Sequence, residues 1–275
     1  MWIMLEIHAA VTAATSLGVT CEDPVVLHDG SNVVVHLRPA PVVARVATLT
    51  ARVRPGIAEW FRRDALVATH VSDRGALATR PFAPPMIVEG HGVARWHHEP
   101  HLADHVISAA EAAAALFDLH VALSDFTAPL PRLGPCSDLD RAFPLVPLST
   151  PVLAVLKAEK ERLARELASF PLRPLHGDAH PGNLLATPAG LMWNDFEDAW
   201  LGPLGWDLAC LATSRRVDGA AAMAAYPGVC PADELATCVE LRELFGVVWR
   251  FVVTSRFPHR RAEADEHLER WLANR

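Results

Sequence analysis

Between residues 176 and 207 the chain reads HGDAHPGNLLATPAGLMWNDFEDAWLGPLGWD, and no other stretch limits its fold as much. Asp178 and Asn183 stand five apart in D-x-x-x-x-N. Leu184-Leu185, a turn at Pro188-Ala189-Gly190 and the apolar run Leu191-Met192-Trp193 carry the pattern of a β-hairpin. A hairpin reverses the chain, so Asn183 at its start is expected near Asp195 at its end. One amide oxygen and one carboxylate then converge, as a hard cation such as Mg²⁺ requires. Asp178, on the loop just before, is placed to accept a proton from a nucleophile. A carboxylate base followed by two oxygen ligands is the set that phosphoryl transfer uses.

Three ordered motifs extend this reading: H-G-D-x-H-x-x-N (His176, Gly177, Asp178, His180, Asn183), D-F-E (Asp195, Phe196, Glu197) and G-P-x-x-W-D-L-A (Gly202, Pro203, Trp206, Asp207, Leu208, Ala209). Together they resemble the aminoglycoside phosphotransferase family, which includes choline and other small-molecule kinases and shares the protein-kinase fold. The resemblance is specific over roughly residues 170–212, weaker over 25–123, and fades towards the carboxy terminus. It implies an α+β, two-lobe fold, with a small β-rich nucleotide-binding lobe over residues 1–96. A larger, mostly helical lobe over 97–275 would carry catalysis and the acceptor. The implied cofactors are ATP and Mg²⁺. The implied acceptor is a hydroxyl of a small molecule, with aminoglycosides, amino sugars and choline-like alcohols all open. In this frame Asp178 is the base, and Asn183 and Asp195 are the metal ligands. His176 and His180 hold the loop, and Asp207 ties down its backbone with Trp206 beneath. Glu197, Asp198 and Trp200 are candidates for supporting the site or meeting the acceptor.

Size and composition agree with two lobes. The chain has 275 residues, 51% of them hydrophobic and 21% charged, enough to bury a large core. A net charge of −7 without a basic block argues against nucleic acid or an anionic membrane as the main partner. Five cysteines with no C-x-x-C pair point to free buried thiols in a reducing, cytoplasmic setting. No signal peptide is evident, and no apolar run reaches the ~18 residues of a membrane span.

In chain order, Ile3, Ile7, Ala10 and Ala14 mark a helix over 2–17. Pro24–His28 and Val33–Leu37 flank the turn Asp29-Gly30-Ser31-Asn32, and Val42–Ala47 forms a third strand. In the family frame this first hairpin is the flap over the phosphates, with Gly30, Ser31 and Asn32 at its tip. Arg45 takes the place of the usual strand-borne lysine for the α- and β-phosphates, an exchange that is not conservative. Asp64 aligns with the helix glutamate that pairs with that base, and Glu59 is the substitute. Residues 87–88 and 93–96 make a further hairpin around Glu89-Gly90-His91-Gly92. Trp96-His97-His98 follows as the inter-lobe hinge that reads adenine, giving Trp96 and His98 as nucleotide contacts. His97, His98 and His101 cluster, but adjacent histidines on an extended segment point to opposite sides, which is poor chelation geometry.

A helix is expected over 104–123 with Val106, Ala110, Ala113, Phe117 and Val121 on one face, and His120 as a satisfied core histidine. Residues 124–148 read as a surface loop. Thr150 caps and Pro151 starts a helix lined by Leu153, Leu156, Leu163 and Leu167, and more helices are expected near 206–217, 232–255 and 259–273. Asp233, Glu234, Glu240, Glu243 and Trp249 offer carboxylates and a ring to an amine, or simply a solvated acidic face. Two rival readings exist. One is a metal-dependent hydrolase chelating zinc through His-x-Asp-x-His, and the other is a nucleotide-binding pseudokinase suggested by Arg45 and Asp64.

Overall fold

The β-branched residues near the amino terminus build a five-stranded antiparallel sheet in the computed structural model, which describes residues 2–275. The strands β1 (Cys21–Asp29), β2 (Asn32–Pro39), β3 (Val42–Ala47), β4 (Pro81–Val88) and β5 (His91–His97) run in the order β1-β2-β3-β5-β4. Val33, Val35, Leu37, Val42, Ala44 and Val46 are buried on one face, where α1 (Trp2–Thr15) packs Ala10 and Ala14 against them. Side chains alternate along a strand, so Arg45 points to the other face. There it meets α3 (Ile57–Asp73), which follows the short α2 (Leu49–Val53) and buries Phe61, Val67 and Val71. β4 carries Pro81, Pro84 and Pro85, and it lies at the sheet edge, where missing N–H donors are tolerated.

This sheet and its helices belong to a unit made of residues up to Val106 together with Asn183–Asp198. The inserted piece is the hairpin read from the sequence: β7 (Leu184–Thr187) pairs with β8 (Gly190–Trp193), Leu184 opposite Trp193. It is anchored within the unit by Thr79 N–H to the Trp193 carbonyl and Trp193 N–H to the Leu77 carbonyl, both 2.9 Å.

The second unit comprises Ile107–Gly182 and Ala199–Arg275. Its helices are α4 (Ala109–Leu123), α5 (Gly134–Ala142), α6 (Thr150–Leu167), α7 (Gly205–Ala212), α8 (Gly219–Ala225), α9 (Ala232–Thr254) and α10 (Arg261–Ala273). The strands β6 (Arg173–Leu175) and β9 (Trp200–Gly202) pair beside them. α9 is the centre of this unit, burying Leu241, Leu244, Val247, Val248 and Phe251. Among the described residues no helix is long and apolar enough to cross a membrane.

Several local expectations need correction. The turn between β4 and β5 is Glu89-Gly90 alone, both at positive φ, and His91 and Gly92 lie in the strand. α4 starts at Ala109, because Ser108 and Glu111 form a reciprocal capping box, and Val106 before it is 84% exposed. Its buried face is Ala112, Ala113, Leu116, Leu119 and Leu123, while Val121 faces outward. The supposed loop 124–148 contains α5, which buries Cys136, Leu139 and Ala142. Ser149, not Thr150, precedes α6, without a side-chain cap. The helix expected over 206–217 ends at Ala212, and a separate α8 begins only at Gly219.

Candidate active site

In the first unit the candidate ligands stand at the open end of the β7–β8 hairpin. Asn194 donates to the Asn183 carbonyl through its backbone N–H at 3.0 Å and its side-chain amide at 2.9 Å, which brings Asn183 level with Asp195. Asp195 has φ 67°, in the left-handed region that Asp enters more readily than most residues, so its carboxylate leaves the strand direction. Its Oδ1 pairs with Arg45. Arg45 also pairs with Asp64, whose other oxygen accepts from Phe196 N–H at 2.8 Å. Of the two carboxylates proposed to face Arg45, the structure uses Asp64, whereas Glu59 is exposed and paired with Arg62 at 2.7 Å. The Arg45 guanidinium lies over the Phe61 and Trp96 rings at 5.1 and 5.5 Å to their centroids.

Glu197 is 3% exposed and sits at the centre of a network that the sequence did not reveal. Asn32 Nδ2 donates to both carboxylate oxygens at 3.2 Å, and Arg54 Nη1 donates at 3.0 Å. Arg54 also pairs with Asp198. Burial, with Asp195 beside it, pushes the Glu197 carboxyl above its usual value against the opposing pull of Arg45 and Arg54. Asn32 is thus directed inward. Ser31 is held by its carbonyl, which accepts from Leu49 and Thr50 N–H at 3.0 and 3.3 Å, and Gly30 N–H closes the turn onto the Asn32 carbonyl at 3.1 Å. His98 donates its N–H to the Pro41 carbonyl at 2.9 Å and stacks on His36 at 3.9 Å between ring centroids.

The second unit presents Asp178 on a loop fixed from beneath. Asp207, fully buried in the first turn of α7, accepts from His176 N–H and Gly177 N–H, both at 2.9 Å, and lies 3.2 Å from His120 Nε2. The Trp206 indole donates to the Gly177 carbonyl at 2.6 Å. Gly177 has φ 89°, which only glycine adopts without cost, so the H-G-D turn requires it. Asp178 N–H and Gly182 N–H donate to the Nδ1 atoms of His176 and His180, at 3.3 and 2.9 Å. Arg242 of α9 donates to Asp178 Oδ1 at 2.7 Å, and His180 Nε2 lies 3.4 Å from Oδ2. Burial works to raise the Asp178 carboxyl, but the charges of Arg242, His180 and His176 overcome it and hold the group well below the carboxylate range. Trp200, another candidate, is 3% exposed in β9.

Sequence reasoning missed Arg54 and Arg242. No motif contains either residue, and only the fold brings α2 to Glu197 and α9 to Asp178.

A family model described as the phosphotransferase enzyme family matches residues 76–228. Among solved structures, the GDP and kanamycin complex of APH(2")-IIia superposes with a TM-score of 0.69 at 18% identity, covering 98% of this chain and 99% of that one. A choline/ethanolamine kinase family protein from Mesorhizobium loti gives 0.66 at 18% identity, with 99% and 94% covered. Amicoumacin kinase hAmiN, in complex with AMP-PNP, Ca²⁺ and Ami, gives 0.69 at 9% identity, with 96% and 95% covered. At these identities the likeness shows a shared kinase-like α+β fold. No curated protein matches the sequence. Because the family model spans more than half of the chain, and its motifs fall on the two loops described above, the chain belongs to the phosphotransferase enzyme family, as a small-molecule phosphotransferase of the aminoglycoside phosphotransferase type.

Proposed function

We propose that the protein moves the γ-phosphoryl group of ATP, with Mg²⁺, to a hydroxyl of a small molecule. The observation that carries this reading is Asp178: a carboxylate paired with Arg242 on a loop whose backbone is clamped by Asp207. The acceptor oxygen bonds the γ-phosphorus, the bond to the ADP oxygen breaks, and the hydroxyl proton leaves through Asp178. A carboxylate held so acidic is a weak base, so aligning the hydroxyl contributes more than removing its proton. That suits a loose transition state.

Asn183 and Asp195 would hold Mg²⁺, and the donor set fits: a neutral and an anionic oxygen, with Asp195 Oδ2 meeting no protein donor among the described residues. Bound there, the metal neutralises charge on the phosphate oxygens. Arg45, steadied by Asp64, is assigned to the α- and β-phosphates, the Gly30-Ser31-Asn32 turn to the phosphate flap, and Trp96 with His98 to the base. Residues 1–96 would be the nucleotide-binding part and 97–275 the catalytic part. Of the acceptor candidates, Asp198 keeps most exposure, 24% of its side chain, against 3% for Glu197. Five free cysteines suit a reducing, cytoplasmic setting.

The test is ADP release with and without Mg²⁺ across hydroxylated acceptors. Asp178→Asn is expected to lower turnover by about 10²–10⁴-fold while ATP binding, measured by calorimetry, is kept. Turnover unchanged in that variant would remove Asp178 from the role.

A further inference from the structure

The acceptor is constrained by charges within the second unit. Two of the carboxylates that the sequence offered to an amine are occupied in holding helices together. Glu240 pairs with Arg162 and, at 3.2 Å, with Arg275. Glu234 is 3% exposed and accepts from Gly205 N–H at 2.7 Å.

Around Asp178 the neighbours are basic instead. Arg242 and His180 flank its two oxygens. Arg216 also reaches this loop: its Nε lies 3.1 Å from the position that a Cβ on Gly182 would take, beside the His180 ring. Arg216 is exposed and, among the described residues, pairs with no carboxylate.

Arg242, Phe245 and Trp249 recur at i, i+3 and i+7 and therefore share one face of α9. Phe245 and Trp249 stack at 5.5 Å between centroids with 13° between planes, and both are only partly buried. Further along, Arg250 feels the charges of Arg215, Arg270 and Arg260, with Glu263 at 3.8 Å as the opposing group. An ammonium group brought to this face meets like charge. A carboxylate or phosphate meets planar guanidinium forks matched to its oxygens.

We propose, resting on the phosphoryl-transfer reading above, that the acceptor is an oxyanion: a hydroxylated small molecule carrying a carboxylate or phosphate on a flat, largely apolar body. Its charge is met by Arg216 and Arg242, its flat face lies on Phe245 and Trp249, and its hydroxyl reaches Asp178.

The test uses the full chain and four matched probes: 4-(hydroxymethyl)benzoate, 4-(hydroxymethyl)phenyl phosphate, 4-(hydroxymethyl)benzamide and 4-(hydroxymethyl)benzylamine. Choline and kanamycin serve as cationic references. Calorimetry reads binding, and Mg²⁺-dependent ADP release reads turnover. At least one of the two anions is expected to bind about tenfold or more tighter than the benzylamine, and the pair of anions separates a carboxylate from a phosphate site. Arg216→Ala should reduce that preference about tenfold, with partial recovery in Arg216→Lys, and Asp178→Asn should keep it while losing turnover. Tighter binding of the cations, no binding of either anion, or a preference unmoved by Arg216→Ala overturns the proposal. An anion preference without ADP release from any probe would instead sink the phosphoryl-transfer reading on which it rests.

Discussion

Asp64 is one methylene shorter than the glutamate, and Arg45 longer than the lysine, that the family resemblance leads one to expect at these positions. The two departures compensate, and the ion pair forms with Asp64 fully buried and the Arg45 side chain 7% exposed. A fully buried pair of this kind gives little net stability, but breaking it from one side is costly. Arg242 acts on Asp178 in a simpler way, as the strongest of the charges that lower its pKa. The folded carboxyl lies below its ordinary value of roughly 3.9. Its contribution to stability is therefore complete above that pH and is lost as pH falls below it. Removing Arg242 lets burial push the group upward. The acid limb of kcat/KM in Arg242→Ala is accordingly expected at higher pH than in the wild type, which a pH–rate profile checks. A limb that stays in place would show that another group sets it.

At the scale of elements, α7 connects packing to chemistry. Its first turn delivers Asp207 to two backbone N–H groups of the H-G-D loop, where the helix N-terminus also favours a negative charge. Asp207→Asn replaces one acceptor by a donor, so one buried N–H loses its partner. The variant should lose about 1–3 kcal/mol in urea unfolding and most of its turnover. Unchanged turnover would mean that the loop holds its shape without the clamp. The β7–β8 hairpin was legible from two short apolar runs on either side of its Pro-Ala-Gly turn, because the runs and the turn are neighbours in sequence. The buried face of α4 was not. An alanine-rich helix has little contrast between its sides, and the packing partner, rather than the pattern, decides which alanines go inside. α5 escaped notice for a related reason: Leu133 before it supplies no side-chain cap, and Pro135 in its first turn reads as loop.

At the scale of the molecule, each unit is assembled from separate lengths of chain. The segment up to Val106 receives Asn183–Asp198, and with it the carboxylates that meet Arg45 and Arg54. Arg54 is 2% exposed, so a fragment ending at Val106 would leave this buried cation without Glu197 and Asp198. Such a fragment is expected to show no cooperative thermal transition by circular dichroism. A sharp transition would mean that the sheet folds independently of the later hairpin. Charge is likewise distributed against the average: a chain of net charge −7 surrounds Asp178 with arginine and histidine.

The residues of the H-G-D, D-F-E and W-D motifs were fixed by the sequence itself, since each lies within a few positions of its neighbours and local geometry needs just those residue types. That includes the hairpin between Asn183 and Asp195, while the α+β class came with the family resemblance that these motifs carry. Tertiary structure alone decided the distant partners of those residues: Arg54 on Glu197 and Arg242 on Asp178, with Glu240 turned to Arg162. These contacts join residues from 64 to 143 positions apart where they matter most, and an unmarked arginine on a helix gives no sign of which distant carboxylate it will meet.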